Sequence, residues 1–315
     1  MSETYPPRVT ITEVGLRDGL QMESKFLPTE QKLRLLHALI DAGVRRFEAT
    51  SFVSPRAVPQ LADAADLMRE VKRRGDVTLA ALAPNAKGIE RALQANVDEV
   101  VVFLSASETH NRTNLNRSRA RSLEDMREAA ELVRGTSVHL HAAIAVAFGC
   151  PFEGEVALEE IERLATAFAE FGFQGITLGD STGMATPRLV KQRVDMLRHK
   201  LPGLPVTLHF HNTRGMGMVN VVQGLASGIT SFESSLGGIG GCPFAPGATG
   251  NICTEDTVHM LQELGVDTGI DLAALCEVAK EFENLLGHPL PGQVMHAGPR
   301  LRRFTVEEAL CALGS

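Results

Sequence analysis

Short β-branched or apolar runs alternate with longer amphipathic segments eight times between Arg8 and about Gly265, and this rhythm limits the possible architecture more than any other feature. The runs fall at 8–14, 45–50, 77–83, 99–104, 138–148, 175–179, 205–211 and 230–235. Helical patterns follow them from Thr29, Arg56, Asn85, Ser122, Ala157, Pro187, Gly217 and Thr254. Pro28-Thr29-Glu30 and Thr186-Pro187 place a cap or a fixed φ at helix starts, and Gly43, Gly172 and Gly265 follow helix ends. Eight β-then-α units close most economically into an α/β fold of the (β/α)8 TIM-barrel type. An open doubly wound sheet is the alternative, but Val14 to Gly19 read VGLRDG where that fold would carry Gly-x-Gly-x-x-Gly. No linker or shift of composition divides the 315 residues. Residues 1–270 are expected to form the barrel, and 271–315 a helical extension of the same domain, packed beside the barrel mouth or against another subunit.

Composition narrows the partners. Lys and Arg number 31 against 38 Asp and Glu, giving a net charge of -7 and no basic block able to neutralise a nucleic-acid backbone. The longest apolar stretch, 142–148, is far shorter than a membrane span, and the first residues, MSETYPP, lack the charged and apolar regions of a signal peptide. Neither nucleic acid nor membrane is expected as a partner, and the expected location is the cytoplasm. Five widely spaced cysteines without a Cys-x-x-Cys pair read as reduced thiols. None of the seven lysines falls in a strand pattern, where a Schiff-base aldolase would need one, so carbon–carbon chemistry here would depend on a metal.

Barrels of this class gather chemistry at the C-terminal ends of their strands. His209 and His211 stand two apart on the seventh run, so their side chains project from one face and can share one ion. Taken alone, two histidines satisfied by backbone carbonyls explain the pair equally well. Asp18, at the end of the first run, turns the set into a mixed nitrogen and oxygen site of Mg2+ or Mn2+ type. Arg17 can polarise a carbonyl or hold an enolate oxygen. Glu48 and Asp180 are candidate bases or anchors for Arg17 and the histidines, with an ion pair the better reading for Glu48. After the eighth run, residues 237–251 carry glycines at 237, 238, 240, 241, 247 and 250. That segment reads either as a phosphate cradle or as a flap bringing Cys242 into the site, with the Asn251 carbonyl offered to the metal. A buried, inert Cys242 is the plainer alternative.

Taken together, residues 13–21, 48–55, 149–154 and 237–256 resemble the sequence blocks of the hydroxymethylglutaryl-CoA lyase family of metal-dependent TIM-barrel enzymes, and the likeness runs from about Val9 to Leu286. Arg17-Asp18 and His209-x-His211 mark the wider superfamily, and Gly-Gly-Cys-Pro at 240–243 points to its lyase branch. The resemblance implies that Asp18, His209, His211 and Asn251 bind a divalent cation, Arg17 stabilises an enolate and Cys242 acts from the flap. Glu48 and Asp180 match further active-site acids, and His209 is a second candidate base. It also implies cleavage of 3-hydroxy-3-methylglutaryl-CoA to acetyl-CoA and acetoacetate by a homodimer or higher homo-oligomer. A sister lyase for isohexenylglutaryl-CoA or citramalyl-CoA is the alternative, followed by a condensing acyl-CoA synthase. Asn212 and Arg214 depart from the family pattern of Asp and Tyr, which is expected to retune the acyl group accepted. The Asn- and Arg-rich segment 105–122 is expected either to meet the CoA phosphates or to form a solvated loop.

Overall fold

A computed structural model describes residues 5–241 and 250–306. Eight parallel strands close in sequence order: β1 (Thr10–Glu13), β2 (Arg46–Ser51), β3 (Thr78–Leu82), β4 (Glu99–Ser105), β5 (His139–Ala145), β6 (Gly175–Asp180), β7 (Val206–Phe210) and β8 (Ser231–Ser234). β1 pairs with both β2 and β8, with Thr12 opposite Arg46 on one side and Glu233 on the other, so no edge is left open. The helices are α1 (Thr29–Asp41), α2 (Ala64–Glu70), α3 (Ala86–Gln94), α4 (Glu108–Leu115), α5 (Arg119–Val133), α6 (Leu158–Phe171), α7 (Pro187–Lys200), α8 (Gly217–Ala226), α9 (Thr254–Glu263), α10 (Leu272–Leu286) and α11 (Val294–Ala297). α10 packs on α1, α9 and α11, and its Leu275, Ala279 and Phe282 join the core between barrel and helices.

Local chemistry explains most element ends. The Thr186 hydroxyl accepts from the Leu189 amide while Pro187 opens α7 with its φ already helical. Gly43, Gly172 and Gly265 have φ of 106°, 91° and 77°, the left-handed conformation that ends a helix without a Cβ penalty. At α1 the cap is Pro28, whose carbonyl accepts from the Gln31 and Lys32 amides, and Thr29 Oγ1 donates instead to Asp63 (2.7 Å).

Two expected elements are corrected. The helix expected from Arg56 begins only at Ala64, after a short 3-10 turn at Pro59–Leu61. Pro59 has no amide to donate and drives Val58 out of the helical region, to φ -134° and ψ 83°. The segment 105–122 is not a solvated loop. Ser107 caps α4, Asn116 turns the chain at φ 53°, and Ser118 caps α5. The buried Asn111 side chain holds that corner, accepting from the Ser105 amide and donating to the Arg117 carbonyl and the Ser122 hydroxyl.

Candidate active site

β1 runs directly into a tight turn in which the Val14 carbonyl accepts from the amides of Arg17, Asp18 and Gly19 at 3.0, 2.7 and 3.3 Å. The turn needs glycine at its start, because a Cβ on Gly15 would lie 2.7 Å from Glu13 Oε1 and 3.2 Å from the Leu236 amide nitrogen. It sets Arg17 and Asp18 on the rim above β1. On β7 the alternation of side chains brings His209 and His211 to the same rim, with their Nε2 atoms 3.1 Å apart. One ligand atom from each of Asp18, His209 and His211 lies within 4.8 Å of the others, and all three residues are buried. Asn251 joins them, since its segment bridges to His211 and its Nδ2 donates to Asp18 Oδ2 at 2.8 Å. Burial pushes the Asp18 carboxyl up, but Arg17 and the two histidines more than offset this and hold it below the usual range.

The Arg17 guanidinium bridges two carboxylates. Nη1 contacts Asp18 Oδ1 at 2.5 Å, and Nη2 pairs with Glu48 Oε2 from β2. Burial opposes its charge, and Glu48 and Asp18 overcompensate and raise its pKa. Glu48 is pushed up to about 7, first by burial and then by the nearby Glu233, against the pull of Arg17. Glu48 thus occupies the ion-pair position, with Oε1 left buried and without a partner.

Asp180 closes β6. Thr177, Gly179 and Ser181 line the cavity, and strand alternation turns Asp180 behind them. Its Oδ1 accepts from the Met184 and Ala185 amides at 2.7 and 2.9 Å, Oδ2 is buried without a partner, and burial raises the carboxyl to about 7. Asn212 and Arg214 do not face the substrate space as expected. Asn212 accepts from the Gly217 amide, and Arg214 donates to the Thr182 and Gly183 carbonyls, so the new cation braces a loop. Cys242 lies outside the described residues.

The sequence reading missed a polar chain inside the barrel. His209 Nδ1 is 2.9 Å from Glu233 Oε2 on β8, Glu233 Oε1 accepts from Thr177 on β6 at 2.8 Å, and Thr177 Oγ1 is 2.9 Å from His141 Nε2 on β5. It emerges only with the β7–β8 register, in which Glu233 sits level with His209. Above this chain opens a cavity of about 850 Å3. Arg17, His209 and Glu233 form one wall, Leu82, Phe103 and Ala143 an apolar floor, and Asn114 and Arg117 the side toward α4. Among the described residues no helix is long and apolar enough to cross a membrane.

The HMGL-like family profile matches residues 8–281. The chain belongs to the HMGL-like family. The hydroxymethylglutaryl-CoA lyase YngG of Bacillus subtilis (strain 168) is 43% identical over 289 residues, covering 92% of this chain and 97% of the relative. An (R)-citramalyl-CoA lyase of Chloroflexus aurantiacus is 42% identical over 301 residues, covering 92% and 95%. Among solved structures, an HMG-CoA lyase from Acinetobacter baumannii in complex with coenzyme A and 3-methylmalate superposes with a TM-score of 0.91 at 42% identity, covering 95% of this chain and 98% of that one. In this HMGL-like chain, Arg17, Asp18, His209, His211 and Asn251 are thus brought together at the mouth of a closed barrel.

Proposed function

We propose that the protein is a hydroxymethylglutaryl-CoA lyase that uses a divalent cation to cleave 3-hydroxy-3-methylglutaryl-CoA to acetyl-CoA and acetoacetate. The observation that carries this reading is the convergence of Asp18, His209 and His211 beside Arg17 at the cavity, in a chain 43% identical to an enzyme of that name. The residues suit a metal of Mg2+ or Mn2+ type: two imidazoles, a carboxylate held ionised, and the buried Asn251 Oδ1, which has no hydrogen-bond partner. These four would hold the cation, and Lewis acidity toward the substrate is the chemistry it would supply there.

Cleavage needs a base for the C3 hydroxyl, a cation for the enolate that forms as the C2–C3 bond breaks, and an acid to protonate C2. Arg17 is the cation. Glu48 aims it from behind and keeps it from swinging into solvent. Of Glu48 and Asp180, both raised to about 7, Asp180 takes the hydroxyl proton through a water, since Gly179 and Ser181 stand between it and the cavity. His209 is then free to serve as a ligand. Cys242 returns a proton to C2, and Arg117 at the α4 side meets the CoA moiety. The enzyme works as a cytoplasmic homo-oligomer.

A second reading, cleavage of citramalyl-CoA, has a specific observation in its favour, the 42% identity to the Chloroflexus enzyme. Assaying metal-dependent acetyl-CoA release from both thioesters decides between them. Acetoacetate as coproduct from 3-hydroxy-3-methylglutaryl-CoA, at the higher kcat/KM, supports the main reading. Preference for citramalyl-CoA, or no acetyl-CoA from either, refutes it.

A further inference from the structure

We infer that Glu233 is a positioning residue that locks His209 in the tautomer with its proton on Nδ1 and Nε2 bare, and that Thr177 and His141 hold Glu233 in place to do so. The inference rests on the metal-site reading only for its consequence, not for its geometry.

With Glu233 ionised and both imidazoles neutral, as a metal ligand must be, every proton along the chain has one possible position. A carboxylate accepts and cannot donate, so the 2.9 Å contact between His209 Nδ1 and Glu233 Oε2 requires hydrogen on Nδ1. The lone pair of His209 is thereby left on Nε2, the atom that faces His211 Nε2. The other carboxylate oxygen takes the single hydroxyl proton of Thr177 at 2.8 Å. With its donor used, Thr177 Oγ1 can only accept from His141 Nε2 at 2.9 Å, which fixes the tautomer of His141 as well. The four side chains come from β5, β6, β7 and β8, and Thr177, His141 and His209 are each less than a tenth exposed. The barrel makes room for the far end of this chain, since a Cβ on Gly175 would fall 2.8 Å from His141 Nδ1.

A proton on His209 Nε2 would point into the space shared with Asp18 and His211 and remove a ligand lone pair. A hydrogen-bonded carboxylate behind a metal-binding histidine typically changes affinity by about 10–100-fold. Glu233 therefore matters to the site without touching substrate.

The test uses the full-length protein labelled with 15N-histidine and freed of metal, with the His209 signals assigned by comparison with a His209→Gln variant. The expected spectrum shows His209 protonated on Nδ1 and bare on Nε2, and Glu233→Gln shifts the population toward the Nε2–H form. Mn2+ titration followed by electron paramagnetic resonance should show Glu233→Gln binding about 10–100-fold more weakly, and Thr177→Val weaker in the same direction by a smaller factor. The isosteric Thr177→Val keeps the test open if Glu233→Gln fails to fold. An Nε2–H tautomer in the wild type overturns the inference, as does Mn2+ affinity unchanged in both variants. Absence of Mn2+ binding to the wild type would instead refute the metal reading, and the tautomer spectrum would still decide the role of Glu233.

Discussion

Asn251 Nδ2 donates to Asp18 Oδ2 at 2.8 Å, tying the turn after the first strand to the segment that follows the last. Replacing Asp18 by Ala should abolish measurable Mn2+ binding, and replacing Asn251 by Ala should weaken it by about tenfold, within the range seen for supporting ligands. Chelator treatment should stop acetyl-CoA release, and Mg2+ or Mn2+ should restore it. Full turnover after rigorous metal removal would refute the assignment.

Arg17→Gln should lower kcat by about 10²–10³, the usual cost of removing one preorganised donor to a developing oxyanion, with KM changed far less. Arg17→Lys should not rescue it, since a point ammonium cannot bridge Asp18 and Glu48 as the guanidinium fork does. Steady-state kinetics on 3-hydroxy-3-methylglutaryl-CoA gives both numbers. A change confined to KM would make Arg17 a ground-state binding group.

Cys242→Ser should cut kcat by about 10²-fold or more, the scale of a lost general acid, while Mn2+ affinity and the circular dichroism spectrum stay as in the wild type. Substrate should protect the native thiol against alkylation. Nearly full activity in the serine variant would move the protonation of C2 to water.

Two buried glutamates make stability depend on pH. Burial raises Glu13 from 4.5 to about 7 and Glu255 from 4.5 to about 8. The folded protein therefore keeps protons that the unfolded chain has already released, so this stabilisation is complete below about pH 4.5 and is lost as pH rises through 7 and 8. Between pH 6 and 8.5 the Tm of the wild type should fall, and Glu13→Gln and Glu255→Gln should each flatten that slope. At most each proton contributes about 1.4 kcal/mol per pH unit. A Tm that rises over this interval in the wild type and not in the variants would reverse the sign.

Much of the site was readable because strand-end positions in a barrel are chemically exceptional. His209 and His211 keep period two, and Asp18 follows a strand by a short turn, so their meeting follows from topology. Glu48 beside Arg17 was legible for the same reason. Glu233 and Thr177 were not, because a Glu and a Thr inside β-branched runs carry no sign of which face they take until the register is fixed. Asp180 illustrates the converse, a conspicuous carboxylate that alternation turns behind Gly179 and Ser181. The late start of α2 turned on Pro59 overriding an otherwise helical pattern. The loop-bracing role of Arg214 depends on carbonyls of a different loop, which no local pattern encodes.

Glu13 Oε1 accepts from the Leu236 amide 223 residues later, and Oε2 from the Thr254 hydroxyl 241 residues later. β1 meets β8 across the same span. During synthesis the first strand emerges with only one of its two neighbours available, and its buried carboxyl has only the adjacent Gly15 amide as a partner until nearly the whole barrel has left the ribosome. The ring cannot close before β8 is made, and the elements that close it also bring Asp18 and Asn251 together. The proposed metal site therefore cannot be complete until the segment carrying Asn251 has joined the first turn, and a chain that stalls short of closure holds Arg17 and the histidines without Asn251 beside Asp18.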